Sequence, residues 1–202
     1  MLKAESEADL LEKANAKEEA YNWVEAVKLY EQVAKSFLDK EMVKRAAETY
    51  KMLGYANERA AETVDTPKDY LEQNQYAANA YRKAANLFKQ IGTDSDELEC
   101  EAEILYSNGL VTGSIIEAKK IFSQSYELFI KASELYSKND DRESLARTLG
   151  RASLISYFIS FYSSEQKEIE QIRQKCMNIA YKALKLSREV GNFQALIESL
   201  KA

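Results

Sequence analysis

Seven apolar residues, Trp23, Ala26, Val27, Tyr30, Val33, Ala34 and Phe37, are separated by steps of one and three. That spacing places all seven on one stripe of an α-helix. Asn22 stands before the stripe as an N-cap, with Glu25 three residues on as its capping-box partner. The same periodicity predicts helices along the rest of the chain. Leu10, Leu11 and Ala14, with Ala4 and Ala8 in earlier turns, open an amphipathic first helix. A third helix is predicted from Glu41 to Val64, facing inward with Val43, Ala46, Ala47, Tyr50, Leu53, Gly54 and Ala61. Thr66 caps a fourth helix that starts at Pro67, where no amide hydrogen is needed, and ends at Ile91 before Gly92. A fifth runs from Asp94 to Leu110. The sixth is capped by Ser114, has Glu117 three residues later, and ends near Lys138. Asn139-Asp140-Asp141 is a turn and cap cluster before a seventh helix, Arg142 to Tyr162. Glu165, Glu168 and Glu170 sit early in an eighth helix, where the dipole favours acids, and Gly191 ends it. A short ninth carries Phe193, Leu196, Ile197 and Leu200 on one face.

One eight-residue pattern organises these helices. Tyr81-Arg82-Lys83-Ala84-Ala85-Asn86-Leu87-Phe88 has counterparts beginning at Tyr30, Phe129 and Ala180, so the starts lie 51, 48 and 51 residues apart. A fixed period near 50 marks a helical repeat array. Gly54, Ala102 and Gly150, each 48 apart, put a small residue on the first helix of a hairpin, and the motif lies on the second. The small residue lets two helices approach, and the partner motif's aromatic ring fills the space beside it. The expected architecture is all-α: about four antiparallel hairpins stacked into a right-handed superhelix, spanning 5–39, 40–92, 93–139 and 140–191, with a capping helix at 192–202. The whole chain is expected to form one repeat domain.

Composition narrows the function. One proline and six glycines in 202 residues leave little room for hairpin turns of a sheet. The net charge of −5 argues against a nucleic-acid footprint. Residues 1–100 carry 14 basic and 20 acidic side chains, with much of the acidity between Asp94 and Glu103. Those acids read as a helix start plus a solvated face, with a docking surface for a basic partner as the sharper alternative. Cys100 and Cys176 form no paired motif and read as small buried groups in a reducing compartment. The acidic amino terminus lacks a signal-peptide pattern, and no apolar run reaches the ~20 residues of a membrane span. A cytoplasmic protein is expected.

The chain has no histidine, which removes the commonest general base and most transition-metal sites. The pairs Glu97, Glu101 and Glu99, Glu103 lack the Glu-x-x-His of a di-iron bundle and read as solvated surface acids. No glycine loop cradles phosphate. No cofactor and no enzymatic activity are expected. The most apolar helix, Ala152 to Ser163, reads as buried all round, with an open aromatic groove as its alternative.

Ala14, Ala26, Tyr30 and Val33 fall where a tetratricopeptide repeat places its small, small, aromatic and small residues, and Trp23 to Ala34, WVEAVKLYEQVA, is the most recognisable run. The later repeats have longer helices. Ala77 to Phe88, AANAYRKAANLF, resembles the soluble NSF attachment proteins, a long-helix variety of that superfamily. The resemblance implies the scaffold. It implies no functional residue, because the membrane-touching loop and leucine-rich carboxyl end of that family are not found here. The carboxylate clamp of some tetratricopeptide grooves is absent as well: Leu11 and Ala46 stand where it needs lysine and asparagine.

The function expected is a non-catalytic interaction scaffold whose concave face, built from the first helix of each hairpin, holds a peptide or helix. Its outward residues are expected to be Asn15, Glu18 and Glu19 in the first repeat and Lys51, Tyr55, Glu58 and Arg59 in the second. The alternatives are a regulatory or sensor domain of a longer signalling or ATPase protein, and a vesicle-trafficking adaptor like the attachment proteins. A homodimer through the terminal repeats is a third reading.

Overall fold

The computed structural model describes residues 6–191. Within them the chain forms eight α-helices and no strand: α1 (Glu7–Glu19), α2 (Trp23–Asp39), α3 (Val43–Ala61), α4 (Pro67–Ile91), α5 (Asp94–Val111), α6 (Ile115–Lys138), α7 (Arg142–Phe161) and α8 (Gln166–Val190). The ninth helix and capping segment expected at 192–202, and Ala4, lie outside the described residues. The chain divides into two compact units between Thr93 and Asp94.

Most helix ends are set by the residues that the sequence puts there. Asn22, Thr66, Ser114 and Asp141 each accept from the backbone N–H three residues on. Ser6 and Asp9 form a reciprocal capping box at the start of α1. Gly92 and Gly191 end α4 and α8 in the left-handed region, at φ 70° and 71°. The third helix is shorter than its apolar pattern suggests. Glu41 has φ 57° and closes α2, with the Met42 N–H donating to Phe37 O at 2.9 Å, so α3 cannot start there.

In the first unit α1 packs on α2, α2 on α3 and α3 on α4. Leu10, Val33, Phe37 and Ala46 form one core cluster, flanked by Leu11, Leu29 and Leu87. Ala8, placed on the inward face by its spacing, is instead exposed. Gly54 and Tyr81 make the tightest approach: a Cβ on Gly54 would sit 2.7 Å from two ring carbons of Tyr81. In this repeat the small residue and the aromatic ring of the motif therefore do meet.

In the second unit α5 packs on α6, α6 on α7 and α7 on α8. Ala102, Tyr106, Phe122, Phe129, Ile155 and Ile159 belong to one core cluster. The Phe122 ring stacks on Phe158 and Tyr162, with centroids 5.6 and 5.7 Å away. Gly109 repeats the close approach, since a Cβ there would meet Phe122 at 2.7 Å. The first, fourth, fifth and eighth positions of the motif are buried in its first three copies: Tyr30, Val33, Ala34, Phe37; Tyr81, Ala84, Ala85, Phe88; and Phe129, Ala132, Ser133, Tyr136. In the fourth copy Ala183 and Ser187 are buried and Ala180 and Leu184 are half-buried. Full burial of each large ring stabilises the fold by about 1.5–3 kcal/mol.

The acidic stretch is not the solvated face that its composition suggested. Asp94, Asp96 and Glu97 do lie in the first turn of α5. Glu99 and Glu103 are buried, and they pair with Arg147 and Arg151 of α7. The Arg147 Nε donates to Glu99 Oε1 at 3.0 Å and its Nη2 to Glu99 Oε2 at 3.1 Å. The Arg151 Nε donates to Glu103 Oε1 at 2.8 Å and its Nη2 to Glu103 Oε2, while the guanidinium lies over the Tyr106 ring at 4.5 Å. The Tyr136 hydroxyl is 2.6 Å from Glu99 Oε2 and 2.9 Å from Asp96 Oδ1. Burial and the Glu99 and Asp96 charges push the Tyr136 hydroxyl above the ordinary tyrosine range. Burial acts to lower Arg147, but the Glu99 carboxylate outweighs it and holds the guanidinium charged.

α7 is buried from Leu145 to Ile159 along most of its surface, but not all round: Tyr157 and Phe158 are half-buried and Phe161 is 60% exposed. Two of its buried serines donate to backbone carbonyls, Ser153 to Gly150 and Ser160 to Tyr157, both at 2.7 Å. Cys100 and Cys176 are free thiols and both buried, as read from their isolation in the sequence.

Candidate docking surface on the first unit

The site begins with the turn between α1 and α2. The Tyr21 N–H donates to Glu18 O at 2.9 Å, and the Asn22 N–H to Lys17 O at 2.8 Å. This paired closure puts Tyr21 at the left-handed position, φ 57°, where glycine is the usual residue. Glu41 and Asp140 occupy the same position after α2 and α6, so among the described residues only Tyr21 places an aromatic side chain there. A non-glycine residue in this region costs about 1–2 kcal/mol. The residue that this conformation carries is 70% exposed.

Tyr21 is the outer member of an aromatic group. Its ring meets Trp23 edge-on, with centroids 6.1 Å apart and planes at 83°. Tyr55 of α3 meets Trp23 in the same manner at 5.9 Å and 84°. The Arg59 guanidinium lies 5.7 Å from the Trp23 ring centre. Its Nη1 donates to Glu62 Oε1 at 2.5 Å, and its Nε is buried with no hydrogen-bond partner. Edge-to-face pairs of this kind contribute about 0.5–1.5 kcal/mol beyond burial.

A polar group adjoins the turn. The Tyr30 hydroxyl lies 2.6 Å from Glu18 Oε2 and 2.8 Å from Asn15 Oδ1. Burial raises the Glu18 carboxyl above its ordinary value, Tyr30's donation opposes that, and the charge of Glu19 adds to it. Burial and Glu18 push the Tyr30 hydroxyl far upward. Glu18 links the two groups, since its carbonyl holds Tyr21 and its carboxylate faces Tyr30.

Of the residues expected to face outward, Tyr55 and Arg59 converge on Trp23, and Asn15 and Glu18 converge on Tyr30. Glu19 is exposed. Lys51 is half-buried, with its Nζ 6.0 Å from the Phe88 ring centre. Glu58 is a correction: it is 4% exposed and lies on the inner side of α3 among Ala56, Asn57 and Ala60, all buried. Tyr21 and Trp23 were not among the expected residues. Tyr21 carried a signal, an aromatic residue directly before the N-cap Asn22, where a turn favours glycine or a polar residue.

Among the described residues no group of His, Cys, Asp and Glu is placed to hold a metal ion. No helix of the described residues is long and apolar enough to cross a membrane.

No family model matches the chain. No curated protein matches it. Among solved structures, the chain is similar to the DHF58 filament, with 18% identity, 91% of this chain and 88% of that one covered, and a TM-score of 0.42. It is similar to the DHF119 filament at 16% identity, covering 89% and 96%, with a TM-score of 0.35. It is also similar to the de novo designed helical repeat protein DHR64 at 18% identity, covering 90% and 93%, with a TM-score of 0.39.

Proposed function

We propose that this chain is a non-catalytic helical-repeat scaffold that docks a peptide or helix on the first unit, around Tyr21, Trp23 and Tyr55. The scaffold part of the reading is supported by the second unit. Glu99 pairs with Arg147 and Glu103 with Arg151, both across 48 residues, so α5 and α7 run in the same direction with α6 returning between them. That order supports a reading as stacked helical hairpins.

The observation that carries the docking reading is Tyr21. A conformation costly for any side chain is kept, and what it presents is a largely exposed aromatic ring held against a tryptophan. Strained backbone clusters at sites of function, and aromatic residues dominate binding hot spots. Asn15, Glu18, Glu19 and Arg59 supply polar groups around this centre.

Peptides selected from a displayed random library on the wild-type protein, then titrated against Tyr55→Ala, test the proposal. The account expects binding to fall about tenfold or more while helical circular dichroism is unchanged. Selected peptides that bind Tyr55→Ala as well as wild type place the docking face elsewhere.

A further inference from the structure

We infer that the outward ridge of α8 is a second docking surface, which takes an acidic amphipathic helix along Arg173, Met177, Tyr181 and Lys185. This inference is carried by the second unit alone and does not depend on the docking reading of the first.

From Gln171 to Arg188, α8 carries five basic residues and no acidic one, in a chain whose net charge is −5. All five, Arg173, Lys175, Lys182, Lys185 and Arg188, are exposed, and among the described residues none of them is in an ion pair. The acids near the two ends of the helix are taken up. Glu168 holds Lys119 of α6 at 2.9 Å, Glu170 accepts from Gln166 at 2.9 Å, and Glu189 pairs with Arg142 of α7. On α2, by contrast, Lys28 has Glu25 and Lys35 has Glu31 one turn away. Lys182, Lys185 and Arg188 follow at steps of three, so they are surface neighbours of like charge, an arrangement that costs helix stability.

Apolar side chains lie within this basic face. Arg173, Met177, Tyr181 and Lys185 follow at steps of four and form one ridge. Met177 is 50% and Tyr181 65% exposed. The adjacent row holds Ala180 and Leu184, both half-buried. The groove between the two rows runs from Arg173 to Arg188, about 22 Å, which is the length of a partner helix of about 15 residues. An apolar centre with charged ends is the anatomy of a protein interface, and tyrosine and methionine both suit its centre. Acids on the partner would meet uncompensated cations, whereas a basic helix would be repelled. An anionic lipid surface fits less well. It is wider than the ridge, so it would also face the acids of this net acidic chain, and two large exposed apolar side chains give it little to bury.

The probes are three dye-labelled synthetic helical peptides, about 16 residues long. They share their leucine and alanine positions and carry four glutamates, four glutamines or four lysines. Fluorescence anisotropy follows their binding to wild type, to Lys182→Gln with Lys185→Gln, to Tyr181→Ala, and to Lys35→Gln with Lys131→Gln, which removes the same charge from α2 and α6. The glutamate peptide is expected to bind wild type about tenfold or more tighter than the other two. It is expected to lose about tenfold in Lys182→Gln with Lys185→Gln and in Tyr181→Ala, and nothing in the α2 and α6 variant. Equal binding of the glutamate and glutamine peptides overturns the inference, as does binding of none. An equal loss in the α2 and α6 variant also overturns it, because the attraction is then not that of α8. Undiminished binding in Tyr181→Ala overturns the ridge as the docking site. Loss of the glutamate peptide in Tyr55→Ala places it on the first unit, which overturns this inference and leaves the docking reading there standing. Cosedimentation with phosphatidylserine vesicles, lost in Lys182→Gln with Lys185→Gln, would assign the face to lipid and overturn the helix partner.

Discussion

Glu103 and Arg151 stand one repeat period apart, 48 residues, and form a two-pronged ion pair with both side chains almost fully buried. Glu99 and Arg147 repeat the arrangement one helical turn earlier. Two such rungs favour one register of α7 on α5, because a slip of one turn would keep a single Glu–Arg pair and leave the other acid and the other guanidinium without their partners. Removing one member should therefore cost more than removing both. Glu103→Leu should destabilise the protein by about 3–5 kcal/mol, since Arg151 is left buried and unpaired, whereas Glu103→Leu with Arg151→Met should recover most of that loss. Urea denaturation measures both. A double variant as unstable as the single one would show that packing, not charge, holds the rung.

Gly54 and Gly109 are placed for contact, not for backbone freedom. Alanine at either meets an aromatic ring at 2.7 Å, Tyr81 or Phe122. Overpacking of this kind costs about 1–3 kcal/mol, more than the 0.5–1 kcal/mol that alanine contributes to a helix interior. Both variants should lower the thermal midpoint. Gly113→Ala, with nothing within 4 Å of the added Cβ, should leave it unchanged or slightly higher. Equal midpoints in all three would remove the close approach from the account.

Acid should loosen the first helix in a defined window. Lys40, just past the end of α2, and Ser36 within it donate to the Glu7 carboxylate on α1 and hold it down at about 2, from an ordinary 4.5. A depressed carboxyl contributes stability that is present above pH 4.5 and is lost as pH falls toward 2. The Glu7 carboxyl followed by NMR should titrate near pH 2, and Lys40→Met should move the midpoint upward. A wild-type midpoint near 4.5 would mean that the contact is not kept in solution.

The helices were legible because their caps and breakers are local. Asn22, Thr66, Ser114, Asp141, Gly92 and Gly191 act within one turn of themselves, and each ends or starts a helix where it was read to. The repeat motif was legible because burial at its first, fourth, fifth and eighth positions leaves a periodic trace. The buried ion pairs were missed because Glu99 and Glu103 were judged within their own helix, where acids four residues apart look solvated. Their partners lie 48 residues on, and opposite charges one repeat period apart were the signal available. Glu58 was misplaced for a related reason. α3 buries Thr49, Asn57 and Glu58 along with its apolar stripe, and a polar residue on a wide inner face has no periodic signature. Tyr21 drew no reading from the sequence, since only the sign of φ distinguishes an ordinary turn from a costly one.

The central claim is that Tyr21 serves binding at the expense of stability. Tyr21→Gly relaxes the left-handed turn and removes the ring, so one variant separates the two effects. Its urea midpoint and its affinity for library-selected peptides should be measured on the same preparation. The account predicts a midpoint unchanged or higher, because relief of about 1–2 kcal/mol of backbone cost offsets the lost edge contact with Trp23, together with at least a tenfold loss of affinity. Undiminished affinity in Tyr21→Gly, or a clear fall in stability, would contradict it.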